Sequence, residues 1–352
     1  MQYHIVLTKE TAERLQQESL PETNVPRSDL KLLADCLDAR LIEQKTYKVK
    51  LIDKICGKLA GTADNWSFAR YLTSQIDPDD IVFCPGEEIG IPLVVAFSSR
   101  KKRPKIVVWF HRITGLKTRL VLKFFKIAKF TDLAVVNTRP NQDFLHDYLN
   151  FAKERVFFLR HSIDSNYFAT KTSSSPKDRP LIVSVGLEQR DYRPLAEATA
   201  ELDVDVKVAG FSQFFDRKAE TFPKVMPPNM TNKKYQLPEL LQLYRDADLA
   251  VISLKENNGA AGITALLEAM SCKKPAICVR TTGLAEYLTD EKAIMTVEPG
   301  DAQGLQQAIL YLLDNPEEAK LRAERAYQIL QERHNLESQV MSLAKFIRTL
   351  EQ

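Results

Sequence analysis

Gly259 and Gly262 stand at the head of a short apolar run, Ile263 to Ser271, that carries a single acidic side chain, Glu268. Glycines there permit backbone conformations and a close ligand approach that a side chain would block. If the run is a helix, the unpaired N–H groups of its first turn and the positive end of its dipole attract a phosphate. Glu268 falls five residues after Ile263. That is more than one turn into the helix, within reach of a group attached beyond the phosphate, such as a pair of ribose hydroxyls. Gly259, Ala260, Ala261, Gly262, Ile263, Thr264 and Glu268 are therefore candidate binding residues. An ordinary connection with a solvated glutamate accounts for the segment taken alone equally well, because glycine turns before helices are common.

Two further constellations bear on the same chemistry. Leu181 to Tyr192 reads LIVSVGLEQRDY, a buried strand ending in Gly186 with Arg190 four residues on. A glycine at that end admits a ligand, and a cation just beyond neutralises the charge that develops on a diphosphate leaving group. Lys105 to Arg112 reads KIVVWFHR, an apolar strand with His111 and Arg112 at its carboxyl end, where ligand-contacting residues of open parallel sheets lie. Glu87 and Glu88, in CPGEEIGIP, face the same end of the sheet and read as an exposed acidic loop.

These residues need a scaffold, and the chain supplies an alternating one. Short apolar runs separated by longer amphipathic stretches predict α/β architecture with parallel sheets. Strands are expected near 3–7, 39–42, 80–84, 105–110, 133–137 and 156–159, and again near 181–185, 205–209, 224–226, 249–253, 275–279 and 293–297. Between the two sets, ATKTSSSPKDRP from Ala169 to Pro180 cannot pack a core and reads as a linker. The expected division is residues 1–168, a linker 169–180, residues 181–334, and an amphipathic closing helix 335–352. Two doubly wound domains joined this way bind ligands at a cleft beside the strand ends.

The segment LLEAMSCKKPAICVRTTGLAEY resembles the donor-site signature of the retaining glycosyltransferases of family 4, glycosyl transferases group 1. The resemblance extends to Arg190, in the place of a phosphate-binding lysine, to His111, and to RHSIDSNYF where the chain leaves the first domain. It implies the GT-B fold, two Rossmann-like domains facing a central cleft, with the closing helix crossing back to the first, acceptor-side domain. It implies a nucleotide-diphosphate sugar, UDP- or GDP-linked, as donor and a hydroxyl acceptor such as a lipid or a growing glycan. His111 and Arg190 would then be catalytic, and Gly186, Arg190 and the Gly259 to Glu268 segment would hold the donor, with no metal and no cofactor. His161 and Ser162 replace the family's Asn-Gly, and two donor-site positions also depart from its pattern: Ala260 stands eight residues before Glu268, where the family has a second glutamate, and Leu187 replaces an arginine. Those departures keep two other readings open, a nucleotide-sugar epimerase and a non-catalytic nucleotide-sugar-binding subunit.

The bulk of the sequence narrows the setting. The 352 residues, 44% hydrophobic, are long enough for two cores. No stretch approaches the roughly 18 apolar residues of a spanning helix, and MQYHIVLTKE lacks a signal peptide's regions. Five scattered cysteines with no CxxC pair fit reduced thiols, so the expected location is cytoplasmic. A net charge of +3 is too small to argue for nucleic acid. From Ser98 to Thr131, however, there is no Asp or Glu, while Arg100, Lys101, Lys102, Arg103, Lys105, Arg112, Lys117, Arg119, Lys123, Lys126 and Lys129 are basic. On one helix through this stretch Leu116, Leu120, Phe124 and Ile127 are expected to face the core. Leu122 and Phe125 then fall beside Arg119, Lys123 and Lys126. Such a mixture suits an anionic membrane surface contacted through residues 112–130; a solvated basic helix is the alternative.

Overall fold

The computed structural model describes residues 1–18, 25–113, 115–169, 177–211 and 219–351. The chain divides into two compact units, Met1–Arg160 with Glu337–Gln352, and His161–Leu336. Of the expected linker 169–180, residues 170–176 lie outside the described residues.

The first unit is built on six parallel strands: β1 (Tyr3–Leu7), β2 (Arg40–Glu43), β3 (Ile81–Cys84), β4 (Lys105–Phe110), β5 (Leu133–Val136) and β6 (Val156–Phe158). Their order is β2-β1-β3-β4-β5-β6. Helices cover both faces of such a sheet, so its inner strands are apolar throughout: β3 is IVFC and β5 is LAVV, every residue buried. Phe97 from the helix Glu87–Ser98 joins Val82, Val108 and Phe110 in the core. Edge strand β2 stays largely exposed.

Residues Glu337–Gln352 also belong to this unit. Val340, Leu343, Ala344 and Ile347 of the helix Leu336–Arg348 are buried. The Phe346 ring stacks on Phe157 with centroids 4.8 Å apart, and Arg348 Nη2 donates to the Cys36 carbonyl.

The second unit repeats the plan with β7 (Leu181–Val185), β8 (Asp205–Ala209), β9 (Met230–Asn232), β10 (Leu249–Ile252), β11 (Ala276–Val279) and β12 (Met295–Val297), all parallel. The order β12-β11-β10-β7-β8-β9 means that the chain winds one way from β7 and the other way from β10. The strand order reverses between those neighbours, and ligands of open α/β sheets bind outside such a switch point. Leu249 and Ala250 pair with Ile182 and Val183 there.

Two expectations of the sequence fail here. The strand expected at 224–226 forms at Met230–Asn232 instead, where Met230 is buried and pairs with Val206. Pro227 and Pro228 lack the N–H a ladder requires, and Val225 is 82% exposed. The helix through residues 116–130 is two helices, Leu116–Phe124 and Ile127–Phe130, broken at Lys126 in a left-handed conformation with φ 51°. The break ends the periodic reading. Val121 and Leu122 are the buried pair, Ile127 is buried on the second helix, and Leu116, Leu120 and Phe124 face outward. No helix among the described residues is long and apolar enough to cross a membrane.

Candidate functional site

At the carboxyl end of β7 the chain turns through Gly186 (φ 106°) and Gln189 (φ 52°). The room that Gly186 leaves is taken by Arg190: a Cβ on the glycine would lie 2.6 Å from Arg190 Nη2. The arginine is 4% exposed. Its Nε and Nη2 donate to the Val185 carbonyl at 2.9 and 2.7 Å, and its Nη1 donates to the Glu188 carbonyl at 3.1 Å. The guanidinium is thus locked against the strand end by its own fork geometry. Beside it the Tyr192 hydroxyl donates to the Gly186 carbonyl, and burial pushes that phenol up to about 12. Leu187, one residue past the glycine, is buried in the core.

The loop after β10 is stitched to this turn. Leu254 bridges Arg190 in antiparallel sense, and Lys255 N–H donates to the Gln189 carbonyl at 2.8 Å. The loop then runs through Ala260 and Ala261 to Gly262, whose φ of 96° places it in the region that favours glycine. A Cβ on Gly262 would also lie 3.0 Å from Ile252 and Leu254 side-chain carbons. Gly262 is the N-cap of the helix Ile263–Ser271 and supplies no side-chain cap. The first turn therefore presents backbone donors to whatever lies in front of it, with Thr264 exposed and Ile263 buried. Ala260 is half-buried, and its carbonyl accepts from Ile263 N–H at 3.1 Å.

Glu268, more than a turn deeper, is 8% exposed. It accepts a hydrogen bond from the Tyr244 hydroxyl at 2.8 Å. Burial raises its carboxyl to about 7, against the pull of the Tyr244 bond and the Arg190 charge. Tyr244, from the helix Leu237–Asp246, is fully buried and its own phenol is pushed well up by burial and by the neighbouring carboxylate. Nothing local to the sequence around Glu268 signals this partner, which reaches it from 24 residues away.

Residues 171–329 match the family model described as Glycosyl transferases group 1, and that stretch contains Gly186, Arg190 and the whole Gly259 to Glu268 segment. Over that stretch the chain is similar to the group 1 glycosyltransferases. No curated protein sequence is a match. Among solved structures, a glycosyltransferase from Rickettsia africae is similar at 13% identity and TM-score 0.71, covering 100% of this chain and 98% of that one. Sucrose-phosphate synthase from Thermosynechococcus elongatus is similar at 15% identity and TM-score 0.72, covering 99% of each chain. Anabaena HepE, solved with UDP-glucose, is similar at 14% identity and TM-score 0.70, covering 99% of this chain and 100% of that one. At these identities the likeness shows the fold, and the fold is GT-B, with two Rossmann-like domains. The protein is an enzyme of the glycosyltransferase class.

A second glycine turn closes the glycosyltransferase loop from outside. Gly283 N–H donates to the Asn257 carbonyl at 2.9 Å, and Glu256 Oε1 accepts from Thr282 N–H and Oγ1 at 3.0 and 2.7 Å. Glu256 is thus spent on the turn. Gly259 N–H is held by Asn257 Oδ1 at 3.1 Å. A Cβ on Gly283 would lie 1.8 Å from the Gly259 carbonyl oxygen. Because the obstacle is backbone, Gly283→Ala must displace the Gly259 to Gly262 loop. We expect a loss of about 2 kcal/mol of stability and weaker nucleotide binding. Thermal melts and calorimetric titration with UDP and GDP check this, and an unchanged melting curve would count against the packing described.

His111 belongs to the first unit, at the carboxyl end of β4. Its Nε2 lies 2.8 Å from the Pro85 carbonyl, which can only accept, so Nε2 carries the proton and donates. Glu87 fixes the backbone: its Oε2 and Oε1 accept from His111 and Arg112 N–H at 2.9 and 3.0 Å. Asn141 Nδ2 donates to the His111 carbonyl at 2.8 Å, and the Trp109 ring lies 4.8 Å from the imidazole. Glu87 and Glu88 therefore open the helix Glu87–Ser98 rather than lying in a loop, with Glu88 exposed as expected and Glu87 half-buried. An acidic first turn complements that helix's dipole, a role the sequence reading missed. Among the described residues no group of three or more His, Cys, Asp or Glu is placed to hold a metal ion.

Proposed function

We propose that the enzyme transfers a sugar, with retention of configuration, from a UDP- or GDP-sugar to the hydroxyl of a lipid or growing glycan, working at the inner face of a membrane. The carrying observation is the pairing of an uncapped helix N-terminus at the β7/β10 switch point with a buried carboxylate, Glu268, on that same helix. Phosphates suit the first, and a ribose diol suits the second. The solution of HepE with UDP-glucose supports a donor of this kind.

In this reading Gly259, Ala260, Ala261, Gly262, Ile263 and Thr264 bring backbone to the diphosphate and sugar, and Glu268 accepts from the ribose hydroxyls. Gly186 and Arg190 set a positive charge where the leaving diphosphate gains negative charge. His111 contacts the sugar near its reacting carbon. The acceptor oxygen forms its bond to the anomeric carbon on the face from which the phosphate oxygen departs, and the acceptor's proton passes to that departing oxygen. No protein nucleophile is then needed, and the residues contribute orientation and charge stabilisation. Ala260 leaves the sugar without the second carboxylate, so backbone carries that task.

A thermal-shift series with UDP-, GDP- and other nucleotide sugars tests the reading. A true donor at about one hundred times its Kd stabilises by about 2.7 kcal/mol, and the anomeric configuration of the product reports retention. No response to any nucleotide sinks the proposal. Binding without turnover across many acceptors points instead to a non-catalytic subunit, the reading that Ala260 and the buried Leu187 favour.

A further inference from the structure

The helix Leu116–Phe124 turns Leu116, Leu120 and Phe124 outward at 81%, 69% and 74% exposure. Three large apolar side chains on one helical stripe make a surface that water does not favour. A second helix of the same unit, Leu51–Gly57, does likewise: Leu51, Ile52 and Ile55 are 75%, 56% and 52% exposed. The two helices are neighbours, because the Lys117 ammonium donates to the Lys58 carbonyl at 2.7 Å. Exposed Leu59 continues the apolar surface past the end of Leu51–Gly57.

Basic side chains dominate the two segments themselves, although exposed Asp64, Asp143 and Asp147 lie on neighbouring elements. Lys45, Lys48, Lys50, Lys54 and Lys58 flank the helix Leu51–Gly57, and Lys117, Arg119, Lys123 and Lys126 flank the other. The single acid within 45–59, Asp53, is buried, accepting from Arg70 Nη2 at 2.7 Å and from Lys50 N–H at 2.7 Å. It therefore offers little negative charge to the surface. Between Ser98 and Thr131 there is no acid at all.

We infer that these two helices together form one docking face for an anionic lipid bilayer. The apolar stripe enters the interfacial zone while the lysines meet phosphate headgroups. Charge complementarity selects this occupant: a second copy of the chain would set lysines against lysines. The inference extends the membrane part of the proposal above and is independent of its donor chemistry. It adds the helix Leu51–Gly57, and it uses the leucines that sequence periodicity had assigned to the core.

The test is sedimentation of the intact chain with vesicles of phosphatidylcholine alone and of phosphatidylcholine with phosphatidylglycerol, at low and high salt. Binding is expected to the anionic vesicles only, weakened by salt. Leu120→Asp/Phe124→Asp and Ile52→Asp/Ile55→Asp should each reduce it at least about tenfold. All four positions are exposed, so far-UV circular dichroism and nucleotide-induced thermal shifts should match wild type. Vesicle binding and donor binding are thereby read separately, and failure of one is distinguishable from failure of the other. Equal binding to neutral vesicles, no vesicle binding, or an effect confined to the Leu120/Phe124 pair overturns the two-helix face. A dimer in vesicle-free solution that these substitutions dissociate overturns it too, since the occupant is then another copy.

Discussion

Glu268→Gln is expected to make the ligand-free enzyme more stable at pH 8 while it loses about 100-fold in nucleotide affinity. Burial holds the Glu268 carboxyl near 7 in the folded chain, against an ordinary 4.5. The folded state thus binds more protons than the unfolded state between those values, so the group's contribution is fully present below about 4.5 and is lost as pH rises through about 7. The shift corresponds to about 3 kcal/mol. Glutamine is neutral at every pH and its oxygen still accepts from Tyr244, although that bond is no longer charge-assisted. A net gain of about 2 kcal/mol at pH 8 follows, shrinking toward zero at pH 5. Melting curves at both pH values together with calorimetric UDP titration check the pair of effects. A variant destabilised equally at both would refute the assignment of a costly buried charge. Wild-type nucleotide affinity should likewise fall as pH drops below about 7, because the ribose hydroxyls need the ionised carboxylate.

The second large effect is expected at Arg190. Arg190→Ala strips the partners from the Val185 and Glu188 carbonyls and empties the space beside Gly186. Unmade buried hydrogen bonds and lost packing together cost about 3 kcal/mol. Turnover should fall more than nucleotide affinity, since the positive charge matters most as the leaving diphosphate becomes negative. A subtler consequence separates this from simple unfolding. The Arg190 charge pulls the Glu268 carboxyl down, so its removal should move the pH midpoint of nucleotide binding upward. Arg190→Lys, keeping the charge but not the fork, should restore the midpoint better than the stability. Identical midpoints in wild type and Arg190→Ala would break the proposed coupling.

The parallel sheets were readable in the sequence because β3, β5, β7 and β10 are short apolar runs with both faces buried, and that pattern survives without knowledge of partners. The strand near 224–226 was misplaced because apolarity marked Val225 and Met226, while the prolines after them decided where the ladder could form. The face of Leu116–Phe124 was inverted for a related reason. A left-handed Lys126 is invisible to periodicity, and without it Ile127 falls in line with Phe124. The helix start at Gly262 and the place of Glu268 on that helix were legible because cap and carboxylate belong to one local element. Tyr244 and Glu87 were not, since each acts on a residue more than 20 positions away. Arg190 was found as a cation, but its fork onto Val185 and Glu188 could be seen only once the turn was built.

The first unit is discontinuous: it consists of Met1–Arg160 and Glu337–Gln352, whereas His161–Leu336 is one uninterrupted stretch. During synthesis domains ordinarily complete themselves from the amino terminus, at about 5–20 residues per second. Here the second unit is the first to have all of its residues. The later-made unit can close while the earlier one still lacks the helix that covers Phe157 and Cys36. Until Glu337–Gln352 leaves the ribosome, the first-made sheet has an open flank, and the interval is set by translation of the whole second unit.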